Sequence, residues 1–160
     1  MLIEILIGGS LALGFFLWQY DIRKKRREHG QASFVTGLSF LKEKIQRQKS
    51  SVELYYKKQM KLEEVEKEHD LVKNTTQYLK FAIGISHDSM DTSIIKEIEL
   101  VCTFAELPPI TIRKDLDSEH CDTIITKIDE LFSNSLKKAK KLFDEVQNES
   151  RKKALASVTK

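Results

Sequence analysis

Proline is almost missing from this 160-residue chain, whose only two prolines stand together at Pro108 and Pro109. Proline interrupts helices and is abundant in disordered segments. A chain with so little proline and with 32% charged residues is therefore more typical of long exposed helices than of disorder. Glycine is also scarce, and the six glycines, at positions 8, 9, 14, 30, 37 and 84, form no phosphate-binding loop. These absences indicate a helical chain without a nucleotide-binding motif.

Charge is absent between Ile5 and Tyr20, and this stretch is followed by five cations, Arg23 to Arg27. Apolar residues occupy every face of a helix built from the stretch, which favours hydrocarbon over water, whereas adjacent cations resist crossing a bilayer. A cleaved signal peptide would carry its cations before the apolar stretch, and here they follow it. Residues 1–22 are therefore predicted to form a transmembrane anchor. A buried core helix is the alternative, because the charge-free stretch is shorter than the usual span of about 20 residues.

The basic juxtamembrane segment, residues 23–32, sets the expected orientation. Lys and Arg beside a span are retained in the cytoplasm, and the tail before this span has no cation. We expect a single-pass membrane protein with its N-terminus outside and its C-terminal domain in the cytoplasm. A bacterial inner membrane suits this topology best, although a mitochondrial or endoplasmic anchor obeys the same physics. The cations expected at the membrane surface are Arg23, Lys24, Lys25, Arg26 and Arg27.

The charge balance of the remaining chain argues against nucleic acid as a partner. The formal net charge is +3, and removing the five cations of residues 23–27 leaves −2 for everything else. A surface that binds nucleic acid is normally strongly basic. The partners that the sequence predicts are therefore a membrane and an unidentified protein.

Residues 33–83 are predicted to form one long, coiled-coil-like helix. From Phe34 to Leu62 the apolar positions recur at alternating steps of four and three, interrupted only by Gln48 and Gln59. This seam predicts a possible homodimer through residues 34–62; the alternative is a single amphipathic helix packed within a monomeric bundle. The positions assigned to self-association are Leu38, Leu41, Ile45, Val52, Tyr55 and Leu62.

After Leu62 the seam changes phase and continues through Val65, His69, Val72, Thr76, Leu79 and Ile83. Two consecutive three-residue steps form a stammer, which overwinds a coiled coil or marks a change of partner. We expect this second half to pack on the chain's own C-terminal helices, and we expect Gly84 to end the helix as a left-handed C-cap.

Residues 84–148 are predicted to complete an all-α fold as a C-terminal helical bundle, since short connections favour antiparallel neighbours. Asp91 or Thr92 is expected to cap one helix, which Pro108 and Pro109 stop, and Asp117 or Ser118 is expected to cap a last helix with apolar positions to Val146. Residues 149–160 are expected to form a frayed basic tail.

No arrangement of side chains in the sequence identifies a reaction. Cys102 and Cys121 form no Cys-x-x-Cys pair, so with His87 and His120 they predict neither a zinc site nor any other cofactor. Glu66-x-x-His69 and Asp117-x-x-His120 each have the spacing of half a di-iron motif, but such a site also needs inward glutamates from two further helices. An enzyme is the weaker hypothesis, and its least implausible members are His87, Cys102 and His120.

The features together indicate a membrane-anchored cytoplasmic interaction or adaptor protein that recruits or regulates a partner at the membrane surface. A small membrane-acting effector, of the exclusion or lysis-control type, is the main alternative. A continuous helix over residues 33–81 would extend roughly 70 Å, which would carry the 84–91 connector and the last helix far from the lipid. A partner-binding patch is expected on that last helix, at Lys137, Lys138, Lys140 and Lys141.

Overall fold

The computed structural model of the protein describes residues 2–86, 90–108 and 118–158, with side chains described for 19–85, 90–108 and 118–154. In these ranges the chain forms five α-helices and no strand: α1 (Leu2–Tyr56), α2 (Leu62–Ser86), α3 (Thr92–Glu106), α4 (Ser118–Ser133) and α5 (Lys137–Val158). The all-α fold class is confirmed. No helix in the described part is long and apolar enough to cross a membrane. The predicted anchor lies mostly on residues 1–18, whose side chains fall outside the described ranges.

The continuous helix expected over residues 33–83 is wrong, because the chain turns back on itself between Tyr56 and Leu62. The backbone turn is built by two hydrogen bonds, in which Gln59 N–H donates to Leu54 O (2.9 Å) and Lys58 N–H donates to Tyr55 O (2.9 Å). This is the hydrogen-bond pattern of a Schellman C-cap, with Lys58 in the left-handed position at φ 57°. Glycine usually fills that position, and a lysine there gives no sequence signal for the turn.

The start of α2 is fixed by a local hydrogen bond between Lys61 and Glu64. Glu64 Oε2 accepts from Lys61 N–H at 3.0 Å, as the third residue of a capping box does. Glu63 and Glu64 also place negative charge in the first turn, where the helix dipole favours it. The stammer in the sequence therefore marks the tip of a helical hairpin rather than an overwound coiled coil.

The two seams of the sequence face each other across this hairpin. Phe34, Leu38, Leu41, Ile45, Gln48 and Val52 of α1 and all six residues of the α2 seam are buried. The pairing is antiparallel, because Gln48 meets His69 near the tip while Gly37 lies against Leu79 farther from it. The bundle core thus satisfies the seam within one chain, in agreement with the monomeric-bundle interpretation.

Gly37 allows the close approach of α1 and α2. A Cβ atom placed on Gly37 would lie 2.5 Å from Cδ2 and 3.2 Å from Cγ of the fully buried Leu79. For Gly84 of α2, in contrast, no atom of the described side chains or neighbouring helices lies within 4 Å of the same built atom. Helix propensity alone favours replacing either glycine, so any difference between the two sites reports packing.

We expect Gly37→Val to lower the free energy of unfolding by about 1–3 kcal/mol, because the added side chain overpacks the core against Leu79. Urea unfolding of the full chain in detergent, followed by circular dichroism, measures the change. Gly84→Ala, which keeps a small side chain at its site, is the control and should be neutral or slightly stabilising. Equal effects at the two sites would show that α1 and α2 do not approach closely at Gly37.

The α2–α3 connection confirms one predicted cap and corrects another. Asp91 caps α3, with its Oδ1 accepting from Ser93 N–H at 2.9 Å. Gly84 does not end α2, which continues to Ser86, and no glycine in the described ranges has a positive φ. As expected, the second half of the predicted helix packs on a later helix: Glu106 of α3 accepts from Thr76 Oγ1 at 2.9 Å and from Lys80 Nζ at 2.6 Å.

The predicted last helix is two helices, because α4 ends at Ser133 and α5 begins at Lys137. In the turn between them, Leu136 N–H donates to Leu131 O at 2.9 Å, and the Leu136 side chain is buried. Ion pairs join α4 to α1 in antiparallel order, with Lys49 to Asp122 at 2.7 Å and Lys42 to Asp129 at 2.5 Å. The frayed tail predicted for residues 149–160 is also wrong in part, because α5 remains helical to Val158.

The hairpin reverses the expected placement of the 84–91 connector. Asp91 has its pKa lowered by hydrogen bonds from Ser93 and, to a smaller extent, by the charge of Arg27 on α1. Together with the antiparallel pairing of α1 and α2, this places the described end of the connector at the same end of the hairpin as the basic segment instead of at the opposite end. The part of the hairpin farthest from Arg27 is the turn at residues 57–61, roughly 44 Å away along α1 at 1.5 Å per residue.

Candidate functional site

The basic segment lies on α1 and its side chains point into solvent. All five cations from Arg23 to Arg27 are exposed. Asp21 holds Lys25 in an ion pair one turn apart, with 2.8 Å between Oδ2 and Nζ, and this pairing raises the pKa of Lys25. The remaining four cations also lie in solvent. The segment therefore presents a cationic surface at the end of the hairpin opposite the turn at residues 57–61.

The predicted self-association residues lie mainly in the core of one chain. Leu38, Leu41, Ile45 and Val52 are fully buried, Tyr55 is half-buried, and Leu62 is exposed beside the hairpin turn. A second chain would reach the four buried residues only if α1 and α2 separated. Self-association through residues 34–62 stays a prediction, and it now carries the energetic cost of opening the hairpin.

The predicted lysine patch is split between engaged and exposed side chains. Lys140 pairs with Asp144 and lies 5.2 Å from the ring centroid of Phe132, so it holds α5 near the end of α4. Lys141 is exposed, with Nζ 3.9 Å from Glu145 on the same helix. Lys137 and Lys138 are also exposed. Three of the four cations thus face solvent, and the fourth has a structural role.

The candidate catalytic residues differ in what the structure places around them. Cys102 is fully buried on α3, and this burial raises the pKa of its thiol to about 12. A thiol with that pKa stays protonated near neutral pH and is a poor nucleophile. Cys121, on α4, is also buried, and His120 beside it is half-buried. His87 lies outside the described residues.

A buried polar pair, which the sequence alone did not identify, joins α1 to α2. Gln48 Nε2 lies 2.9 Å from His69 Nδ1, and both side chains are buried between the helices. On the other side of the amide, Gln48 Oε1 lies 4.0 Å from Cys121 Sγ of α4. A signal for this pair was present in the sequence, because Gln48 and His69 are polar positions in two largely apolar seams, as Gln59 and Thr76 also are.

His69 is held neutral by its surroundings. Burial lowers the pKa of His69 and the charge of Lys73 lowers it further, as does His120 on α4, while Asp70 and the backbone of Glu106 partly oppose these effects. Among the described residues, the buried Nε2 atom finds no hydrogen-bond partner of acceptable geometry. A charged imidazole would therefore be poorly accommodated at this position.

The free energy of unfolding should consequently fall as the pH drops from 7.5 to 5.5. In the unfolded chain His69 takes up a proton near pH 6.5, whereas in the folded chain it does so only at lower pH, so acid favours the unfolded state in that interval. The slope from this residue has an upper limit of about 1.4 kcal/mol per pH unit. Urea titrations at several pH values measure it, and His69→Asn should remove this part of the slope. An unchanged slope in His69→Asn would assign the pH dependence to other groups.

The half di-iron motifs do not assemble a metal site in the described ranges. Glu66 is exposed on α2 while His69 points into the core, so the two side chains do not converge. Asp117 lies outside the described residues. Among the residues described, no group of three or more His, Cys, Asp or Glu is placed to hold a metal ion.

An open groove separates α5 from the outer face of α1. Phe40 and Glu43 of α1 and Phe143, Asp144 and Arg151 of α5 contribute to its walls. Its lining combines aromatic faces with charges of both signs, which suits a peptide side chain better than a small apolar ligand.

The chain matches no protein-family model, and comparisons with characterised proteins and with solved structures give no significant match.

Proposed function

We propose that this protein is a membrane-anchored helical adaptor, with residues 1–22 in the bilayer and the bundle on the cytoplasmic side, where it recruits or regulates a protein partner. The observation that supports this most directly is the continuity of α1, which joins the apolar stretch, the basic segment and the first seam of the core in one helix. A continuous helix couples the position of the bundle to that of the anchor without a flexible linker.

The orientation follows from the cations at the base of the bundle. The exposed run from Arg23 to Arg27 favours the cytoplasmic face and can also contact anionic headgroups. A reporter that is active only in the cytoplasm should work when fused after Lys160. Replacing all five cations by Gln should weaken or scramble this orientation, and activity of an exported reporter fused to the native chain would show the proposed orientation to be wrong.

An exchange of the anchor distinguishes an adaptor from a membrane-acting effector. Residues 1–22 are replaced by an unrelated span of the same orientation, and residues 23–160 are kept. An adaptor should retain recovery of its partner in a crosslinking pull-down from membranes, because the working surface lies on the bundle. An effector would lose its phenotype, because the anchor sequence itself would carry the activity.

The exposed lysines of α5 are the proposed partner surface, and the structure allows a sharper test than reversal of all four. Lys137→Glu with Lys138→Glu changes two solvent-facing cations and leaves the Lys140–Asp144 pair intact. We expect partner recovery to be lost while membrane localisation and helix content stay unchanged. Lys152→Glu with Lys153→Glu is the matched control, since both lysines are exposed on the same helix and the net charge changes equally. Equal recovery with both double variants would exclude Lys137 and Lys138 as the partner surface.

A further inference from the structure

A second apolar seam runs along α2 on the face turned away from the bundle core. Leu71, Tyr78 and Ile85 recur every seven residues, and Phe81 completes the alternating four-and-three spacing with Asn74. We name these five residues the outer stripe. The four apolar members have exposed fractions of 41% for Leu71, 55% for Tyr78, 67% for Phe81 and 71% for Ile85. The core row of the same helix, including Val72, Leu79 and Ile83, is buried, so α2 has a second apolar face that the bundle leaves largely exposed. The bundle touches this face at Tyr78, whose Cε1 lies 3.7 Å from the Cβ position of Gly37 on α1.

We infer that the outer stripe is a homodimer interface, in which α2 of one chain packs in register and in parallel against α2 of a second copy. A heptad stripe is self-complementary, since each residue meets its own counterpart across a twofold axis. The flanking positions favour a close contact, because Thr75, Gln77, Ala82 and Gly84 are uncharged. Asp70, beside Leu71, is the single charged flank.

Gly84 and Asn74 support a helix as the occupant of this face. An exposed glycine in a helix is less favourable than alanine, and no described atom beyond its own helix backbone and chain neighbours lies within 4 Å of the Cβ position of Gly84, so packing in the described part does not require a glycine there. A small residue there allows a neighbouring backbone to approach. Asn74 lies at an interior position of the stripe, where an asparagine pairs with its own copy only if the two helices are aligned in register.

The parallel direction rests on the proposed function. When two chains are anchored in one membrane, both α1 helices run away from it in the same direction, so the α2 helices packed against them are parallel to each other. The apolar area of the stripe also suits a dimer of two chains that are held in the same membrane. The exposed parts of its four apolar side chains amount to roughly 400–500 Å² per chain, given 150–250 Å² for a whole aromatic side chain. A dimer that is stable in dilute solution buries about 800 Å² per partner. Confinement to a membrane raises the effective concentration and makes a smaller interface sufficient.

Cysteine crosslinking in native membranes tests the interface in the full chain. Ile85→Cys and Phe81→Cys introduce exposed thiols in the stripe, while the native Cys102 and Cys121 remain buried. On mild oxidation we expect about tenfold more disulfide-linked dimer from either variant than from Leu142→Cys, a similarly exposed position on α5, because a specific interface holds the thiols at high effective concentration. Equal crosslinking at Ile85→Cys and Leu142→Cys would overturn the inference.

A second variant separates loss of the interface from loss of the fold. Phe81→Glu places like charges opposite each other in the dimer, but its side chain is two-thirds exposed in the single chain, so helix content should not change. Dimer recovered with an amine-reactive crosslinker should be lost in this variant, and a dimer that persists would also overturn the inference. Membrane fractionation of the same samples reports the anchor separately. Crosslinked dimer in a soluble fraction would refute the proposed anchor, and with it the argument for a parallel direction, but would leave the contact between the two stripes standing.

Discussion

Replacing Leu41 by aspartate is expected to remove most of the folded structure. Leu41 is fully buried on α1 within the main core cluster. An aspartate at this site must either bury a charge without a partner or remain protonated far above its usual pKa. An uncompensated buried charge costs about 3–5 kcal/mol, which is a large part of the 5–15 kcal/mol that stabilises a typical domain. Circular dichroism in detergent should show a lower urea midpoint, and limited proteolysis should show faster cleavage.

Leu142→Asp supplies the matched control for that experiment. Leu142 is 62% exposed on α5, so an added charge remains in water and the stability should change by no more than about 0.5 kcal/mol. The sequence-based hypothesis of a dimer through residues 34–62 makes a different prediction for Leu41→Asp. It expects loss of dimer with an intact monomer fold. Unchanged stability together with a lost dimer would contradict the burial of Leu41 within one chain.

Gln48→Leu is expected to lower the free energy of unfolding by about 1–3 kcal/mol, because it leaves the buried Nδ1 of His69 without its partner at 2.9 Å. His69→Leu should have a similar cost, since it leaves Nε2 of the Gln48 amide without this partner between the same helices. The double variant should recover most of the loss, because replacing both polar groups by apolar side chains of similar size leaves neither partner of this hydrogen bond unsatisfied.

A double-mutant cycle at pH 7.5, where His69 is neutral, measures the coupling of this pair. We expect an interaction energy of about 0.5–3 kcal/mol, as found for residues in one hydrogen-bond network. Additive effects of Gln48→Leu and His69→Leu would show that the two side chains do not interact. Gln59 supplies a control, because it stands in the same sequence seam as Gln48 but is exposed in the hairpin turn, so Gln59→Leu should be nearly neutral.

Much of the core was readable from the sequence because helical periodicity reports which side of a helix is buried. The alternating four-and-three spacing identified Leu38, Ile45, Val72 and Leu79 as members of continuous apolar faces, and all four are fully buried. The cap at Asp91 was also predictable, since aspartate before a helical pattern has a local mechanism that does not depend on the rest of the fold.

The candidate site was only partly predictable, because its properties depend on neighbours from distant parts of the chain. The cations of residues 23–27 are exposed, as a run of charge predicts. Lys140, in contrast, was predicted as part of a binding patch, but it pairs with Asp144 and lies over aromatic rings. The partners of Gln48 and the outer stripe of α2 could not be read from the sequence, because both depend on which faces of α1 and α2 the fold buries.

Helical structure, the residues of the two apolar seams and the position of the basic segment could be read from the sequence alone, since they follow from periodicity and charge along the chain. That the seams meet each other within one molecule became visible only in the folded structure. A heptad pattern fixes the apolar face of a helix but not the partner that covers it. The turn at Lys58 determines the partner, because a lysine with left-handed backbone angles reverses the chain and places His69 against Gln48.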